Sequence, residues 1–341
     1  MNNILNNPEL DSKERAIILK FLKKVESYAG FLKKLEAKDK KKVKPRKILQ
    51  REFDNAQKEI ISEAYFIENK ISSLSVKKKL REIFRDRVKK YILQSKITKR
   101  AWEKPRGYPG DYLVFEMIYD SKPVSKGIGL YLDNWIFRHP LTQGIIYRKN
   151  RIKYFLVELL SKSNRGLKIL NIGCGPSREI RELAEEKCLV NGNSFTCVDQ
   201  DEEALRLSGS LLKKLNYNNQ NISFLKKDAL SWLGLGRREI GLPKQDLIYS
   251  VGVADYFLKT ALEFFIKLYF GLLKPKGKLI VPLCSSHDLK LYTHLAWFCE
   301  WHFYKHSVKT IRAFFKKTLG TKNVEVVWED KQPVFFVIIE K

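Results

Sequence analysis

Apolar residues at helical spacing dominate the first hundred positions of the chain. Ile17, Ile18, Phe21, Leu22 and Val25 share one face of a helix that Asp11 or Ser12 can cap. A second run over about 48–72 carries Phe53, Ile60, Ile61 and Ile67, and a third over about 75–95 carries Leu80, Phe84, Val88 and Ile92 at every fourth position. A lysine-rich stretch containing Pro45 separates the first run from the second. Further on, Pro105-Arg106-Gly107-Tyr108-Pro109-Gly110-Asp111 crowds prolines and glycines together, which no regular element survives, so it reads as a shaped loop. Helices are expected after it over about 111–120, 127–137 and 141–162.

From about 167 the period changes. Leu167–Ile172 is a short apolar run ending in Gly173-Cys174-Gly175-Pro176, and a helical stretch follows from Ser177 to about Lys187. Ser194–Val198 forms a second strand closed by Asp199, Glu202–Leu215 a helix, and Ile222–Lys226 a third strand closed by Asp228. A fourth strand is expected at Asp246–Val251 and a fifth at Lys278–Leu283. The last two, Val324–Glu329 and Val334–Ile339, flank Asp330-Lys331-Gln332-Pro333, a connection short enough for an antiparallel hairpin only. This alternation predicts an α/β fold, a Rossmann-like doubly wound parallel sheet with an antiparallel pair at one edge. Three parts are expected: a helical region over 1–100, a helical lid or linker over 101–164, and the sheet domain over 165–341. Trp297, Phe298, Trp301, Phe303 and Tyr304 suggest an aromatic helix over 295–305, which reads as core or as the wall of an apolar pocket.

Composition narrows the class. With 341 residues, 44% of them hydrophobic and 30% charged, the chain can bury a core and is not globally disordered. Its five cysteines show no CxxC spacing, which argues against a disulfide framework or a structural zinc site; no metal is expected. No apolar run is long enough to span a membrane. Met1–Pro8 lacks the basic-then-apolar pattern of a secretory leader, so the expected location is cytoplasmic. The formal charge of +27 raises the prospect of an anionic partner. Its densest run, from Phe31 to Lys47, reads either as a solvated helix end and linker or as a contact with an acidic partner or membrane surface; nucleic acid is the lesser alternative.

The candidate chemistry gathers at the strand ends. Glycines at 173 and 175 suit a turn where a ligand must approach the backbone, and the crevice beyond the carboxyl ends of the strands is the usual ligand site of such sheets. The third glycine of a dinucleotide fingerprint is replaced by Arg178, and no GK[ST] triplet follows, so a pyrophosphate cradle is disfavoured. Asp199 can accept both ribose hydroxyls of a nucleoside cofactor, and Asp228 its adenine amino group; each can equally be a turn former or helix cap. Arg148 and Arg151 lie one helix before the first strand, and either can pair with a cofactor carboxylate. Of the five histidines only His287 lies just past a strand end, where a polar loop role is the alternative.

Leu170-Asn171-Ile172-Gly173-Cys174-Gly175-Pro176, Val198-Asp199, Lys227-Asp228-Ala229 and Leu272–Leu279 together resemble class I S-adenosylmethionine-dependent methyltransferases, over about 165–341. The resemblance implies a seven-stranded sheet with its last strand antiparallel and S-adenosylmethionine as cofactor. It implies contacts to that cofactor from Gly173, Cys174, Gly175, Asp199, Gln200, Asp228, Ala229 and Ser250, with Arg151 for its carboxylate. Two positions depart from the pattern: the acid that often opens the glycine motif is Asn171, and its third glycine is Ser177.

A closer resemblance covers about 100–341. Lys104–Tyr112, Met117-Ile118-Tyr119, Gly252–Phe257 and Glu300–Phe303 are similar to bacterial methyltransferases of 3-hydroxypalmitic acid methyl ester synthesis, which implies methylation of an acyl carboxylate. Arg106 is then expected to orient the acid, Tyr108 to cover the methyl group, Asp111 to fix the loop or cap the next helix, and Tyr256 to line the site. A carboxylate acceptor is already ionised and needs no general base. An amine acceptor would call for [DNS]PP[YFW] after the fourth strand, where Ser250-Val251-Gly252-Val253 stands instead. An RNA or protein methyltransferase that binds substrate through the basic N-terminal helices is the alternative.

Overall fold

The computed structural model describes residues 2–43, 46–163, 165–189, 192–215, 221–232, 241–329 and 332–341. The chain divides into two compact units, Met1–Thr142 with Leu289–His302, and Gln143–Asp288 with Phe303–Lys341.

The first unit is helical. Its elements are α1 (Asn2–Leu5), α2 (Ser12–Lys40), α3 (Arg46–Lys70), α4 (Leu74–Ile92), α5 (Lys96–Glu103), α6 (Tyr112–Asp120) and α7 (Ile128–Arg138). A capping box starts α2: Asp11 accepts from the Glu14 amide at 2.7 Å, and the Glu14 carboxylate reaches back to the Asp11 amide at 3.3 Å. The heart of the unit is aromatic. Trp297, on the short helix Thr293–Cys299, is fully buried, edge-on to Phe21 at 5.2 Å and to Phe84 at 5.5 Å, while Phe84 stacks on Phe298 at 5.6 Å. The Trp297 indole N–H donates to Glu68 at 2.8 Å, and Arg81 grips the same carboxylate with two bonds of 2.7 and 2.8 Å. Trp297 and Phe298 are thus core, Trp301 and Phe303 are also buried, and Tyr304 is exposed. The helix expected over 295–305 ends at Cys299, because Glu300 adopts the left-handed conformation (φ 52°). Part of the basic run is neutralised locally, with Lys38 on Glu52 at 3.0 Å, Lys40 on Glu36 at 3.5 Å and Arg46 on Asp39 at 3.5 Å; its Lys44 and Pro45 lie outside the described residues.

Two histidines in this unit are packed together. The His139 and His294 rings lie 4.3 Å apart, each against Trp135, at 4.7 and 5.1 Å. Burial pushes the His139 imidazole down to about 4 and His294 well below its ordinary value near 6.5. The folded state therefore holds both rings neutral, whereas the unfolded chain takes up protons once the pH falls below about 6.5. Their contribution to stability is complete above that value and is lost as the pH falls toward 4. Thermal midpoints measured across this window should drop, and less steeply for His294→Gln.

The second unit holds the sheet. After α8 (Pro140–Ser161), which begins in the first unit, come β1 (Lys168–Ile172), α9 (Arg178–Glu185), β2 (Ser194–Asp199), α10 (Glu202–Lys214), β3 (Ile222–Lys226), β4 (Gln245–Ser250), α11 (Lys259–Leu272), β5 (Leu273–Cys284), α12 (Val308–Leu319), β6 (Val324–Val327) and β7 (Val334–Glu340). The seven strands lie in the order β3-β2-β1-β4-β5-β7-β6. Strands β1 to β5 are parallel, and β7 runs antiparallel to both β5 and β6. This is the Rossmann-like mixed sheet that the pattern predicts. β5 begins at Leu273 rather than 278: Lys276 takes a positive φ of 62° and the register against β4 shifts between Gln245 and Leu247, so pairing continues past Pro275 and Gly277. Of the hairpin connection, Asp330 and Lys331 lie outside the described residues. Leu170, Val198 and Ile248 face one buried layer with α11 and α12, and Ile169, Cys197 and Tyr249 face the other with α8 and α9. Because the strand order reverses beside β1, the ends of β1, β2 and β4 form the topological switch point where such sheets take ligands. Among the described residues no helix is long and apolar enough to cross a membrane.

Candidate active site

The turn after β1 is shaped by its glycines. Gly173 has φ 61°, and a Cβ there would come within 2.9 Å of the Val253 side chain. Gly175 has φ 50°, and a Cβ there would meet no other residue within 4 Å. Gly173 thus answers to backbone and packing, while Gly175 leaves open space where a Cβ would stand. Between them Cys174 is buried, its amide donating to the Val198 carbonyl at 3.0 Å, and burial raises its thiol well above the ordinary range. Ser177, at the third glycine position, is buried and itself left-handed at φ 48°. A side chain there costs conformational energy, so Ser177→Gly should stabilise the protein by about 0.5–1 kcal/mol in urea unfolding.

Asp199, at the end of β2, closes over this turn. One carboxylate oxygen accepts the Gly175 amide at 2.7 Å and the other the Asp201 amide at 2.8 Å. Burial pushes its carboxyl above the ordinary carboxylate range, and the amide bonds oppose that rise. With the Gln200 amide as a third donor, the carboxylate keeps one acceptor position for a further donor. Asp201 caps α10, accepting from the Glu203 amide at 3.0 Å. Gln200 is exposed beside it. At the end of β3, Asp228 is exposed and accepts the Leu230 amide at 2.7 Å, which makes it a turn former as well as a candidate ligand residue. Ala229 is buried, and its carbonyl takes the Tyr269 hydroxyl at 2.7 Å.

Past β4, Ser250 is buried, its hydroxyl accepting the Val253 amide at 3.3 Å. Asp255 is fully buried and ion-paired with the equally buried Arg148 at 2.7 Å; its second oxygen takes the Cys284 amide at 2.6 Å. Arg148 also lies so close to Gly252 that a Cβ there would sit 2.5 Å from the guanidinium. Tyr256 is half-buried against Phe303, with ring centroids 5.3 Å apart. Arg151 turns elsewhere: it pairs with Glu329 at 3.1 Å and lies over the rings of Tyr154 and Phe155. His287 packs its ring against Trp328 at 5.5 Å. His306 is a loop residue at the end of β5, its amide donating to the Cys284 carbonyl and its carbonyl accepting the Ser286 amide.

Arg106, Tyr108 and Asp111 belong to the helical unit. Asp111 is buried and caps α6, accepting the Leu113 and Val114 amides at 3.1 Å each while Arg100 pairs with it at 2.7 Å. Arg106 lies over the Tyr112 ring at 5.9 Å, and Gly107 (φ 84°) closes a turn onto the Lys104 carbonyl at 2.8 Å. Tyr108 is half-buried.

The sequence reading also left out a network beneath the glycine turn. The buried Glu179, in the first turn of α9, accepts from Asn171 Nδ2 at 2.7 Å and from the Tyr249 hydroxyl at 2.8 Å. Among the described residues no group of three or more histidine, cysteine or acidic side chains is arranged to hold a metal.

A family model for a methyltransferase domain matches residues 163–331. No curated protein matches the chain. Among solved structures, a possible exported protein from Bordetella parapertussis is 16% identical with a TM-score of 0.55, over 68% of this chain and 79% of that one; this likeness shows the fold. The magnesium protoporphyrin IX methyltransferase of Synechocystis PCC 6803, solved with S-adenosylhomocysteine, is 14% identical with a TM-score of 0.47, over 76% and 99%. The sheet order, the glycine turn and the family match together make the second unit a methyltransferase domain of class I. The protein is a methyl-transferring enzyme whose cofactor is S-adenosylmethionine. The residues present fit that group: an open glycine edge for close approach, and a strand-end carboxylate with acceptor capacity left for a ribose hydroxyl.

Proposed function

We propose that the enzyme transfers the methyl group of S-adenosylmethionine to the carboxylate of a hydrophobic, acyl-type acid, giving a methyl ester. The cofactor supplies an electrophilic methyl. Gly173, Cys174 and Gly175 offer it backbone, Asp199 takes a ribose hydroxyl, and Asp228 with Ala229 reaches the adenine. The observation that carries the acceptor class is the state of Asp255. This carboxylate, directly past β4, is already neutralised by Arg148 and bonded to the Cys284 amide. It is thus committed to structure instead of proton abstraction, which suits an acceptor that arrives ionised. Tyr256, Phe303 and Val253 supply apolar surface in the same region. The Pro105–Asp111 segment, in the helical unit, enters on its resemblance alone, which implies that Arg106 orients the acid and Tyr108 covers the methyl. Tyr108→Ala should therefore lower kcat at least tenfold with little change in cofactor affinity.

The test is transfer of labelled methyl to acyl acids, RNA and protein extract in parallel. Label in a solvent-extractable, base-labile ester supports the reading. Label confined to RNA or protein, or turnover abolished by His287→Ala, contradicts it.

A further inference from the structure

Glu179 is a buried carboxylate that forms no ion pair with any described residue. Its two side-chain donors are neutral, Asn171 at 2.7 Å and Tyr249 at 2.8 Å, and both serve the same oxygen. Burial disfavours its charge; Arg181 and Lys149 oppose this only through space. Burial therefore favours its neutral form, and only a cation brought beside it restores the charge. The position indicates where that cation comes from. Asn171 precedes Gly173 by two residues and pairs across the sheet with Cys197 and Tyr249, so the carboxylate lies behind the glycine turn. Because the Asn171 amide must donate to Glu179, its carbonyl oxygen is the atom left over, fully buried and with no hydrogen-bond partner. The pair is one carboxyl and one unfilled acceptor, both of which a neighbouring positive charge satisfies.

We propose that Glu179 is the counter-charge of the S-adenosylmethionine site, acting on the cofactor's sulfonium charge through Asn171. The inference rests on the cofactor reading above. It gives Glu179 a positioning and electrostatic role without contact to the reacting atoms, and it accounts for an uncharged residue at 171: the negative charge stands one hydrogen bond further back.

S-Adenosylmethionine and S-adenosylhomocysteine separate a charge effect from a structural one, since they share every group except the methyl and its sulfonium charge. Both affinities are measured by calorimetry for wild type, Glu179→Gln, Tyr249→Phe and the exchange Asn171→Asp/Glu179→Gln. Glu179→Gln should weaken S-adenosylmethionine about tenfold and S-adenosylhomocysteine twofold or less. Tyr249→Phe, which keeps the charge, should leave the ratio of the two affinities unchanged, and the exchange should restore it. Equal weakening of both ligands, or of neither, overturns the inference. Should Glu179→Gln not fold, the exchange decides: the wild-type ratio supports the proposal and its loss refutes it. Failure of the wild-type protein to bind either ligand would instead refute the cofactor reading itself.

Discussion

Asp255→Ala should cost about 3–5 kcal/mol of unfolding free energy, the largest effect of any single substitution considered. The pair it breaks is almost wholly removed from water, with side-chain exposures of 3% for Arg148 and 0% for Asp255. Truncating the acid leaves a guanidinium buried against Gly252 and orphans the Cys284 amide, which Asp255 holds at 2.6 Å. Both groups then bear desolvation that Asp255 no longer offsets. Asp255→Asn keeps a carbonyl for Cys284 and should cost less. Replacing both partners with apolar residues, as in Arg148→Met/Asp255→Leu, should recover most of the loss, because an absent pair leaves no charge behind. Urea unfolding midpoints check the series. A cost below about 1 kcal/mol for Asp255→Ala would mean that Arg148 finds another anion or reaches water.

Asp199→Ala should weaken S-adenosylmethionine by about 2–3 kcal/mol, roughly 30- to 150-fold. The carboxylate is shaped for this role before any ligand arrives, since the Gly175 and Asp201 amides fix its two oxygens at 2.7 and 2.8 Å. Removal takes away the charge-assisted bond to the ribose and also the tie that holds the glycine turn against β2. Asp199→Asn keeps one acceptor and should fall between. Calorimetry checks the order. Asp228→Ala should matter less, because that side chain is exposed and already bonded to the Leu230 amide.

The strands and most helices were legible in the sequence because their signals are local. β1 and β2 are apolar runs stopped by glycine or aspartate, and α2 to α4 repeat apolar residues every three or four positions. The glycine turn was legible for the same reason, as Gly173, Gly175 and Asp199 stand at strand ends. What escaped depends on contacts between distant segments. Arg148 and Asp255 are 107 residues apart, and nothing near either one announces the other. Glu179 meets Asn171 only because α9 folds back over β1. α5 escaped because its apolar positions are too few to establish a period, although Ser95 caps it through the Thr98 amide at 3.1 Å. The assignment of Leu289–His302 to the helical unit, far from its other residues in the chain, is likewise a tertiary fact. The reading of Arg151 as a cofactor ligand ignored Glu329, which claims its charge from the far end of the chain.

The central claim, that S-adenosylmethionine sits at the ends of β1, β2 and β3, is tested most directly by photocrosslinking the methyl-labelled cofactor to the intact chain and mapping the labelled peptides. The account predicts label in peptides spanning 169–178, 198–206 or 226–232, and loss of that label with excess S-adenosylhomocysteine. Label that resists competition, or that maps outside these segments and outside the Val251–Tyr256 turn, would contradict it.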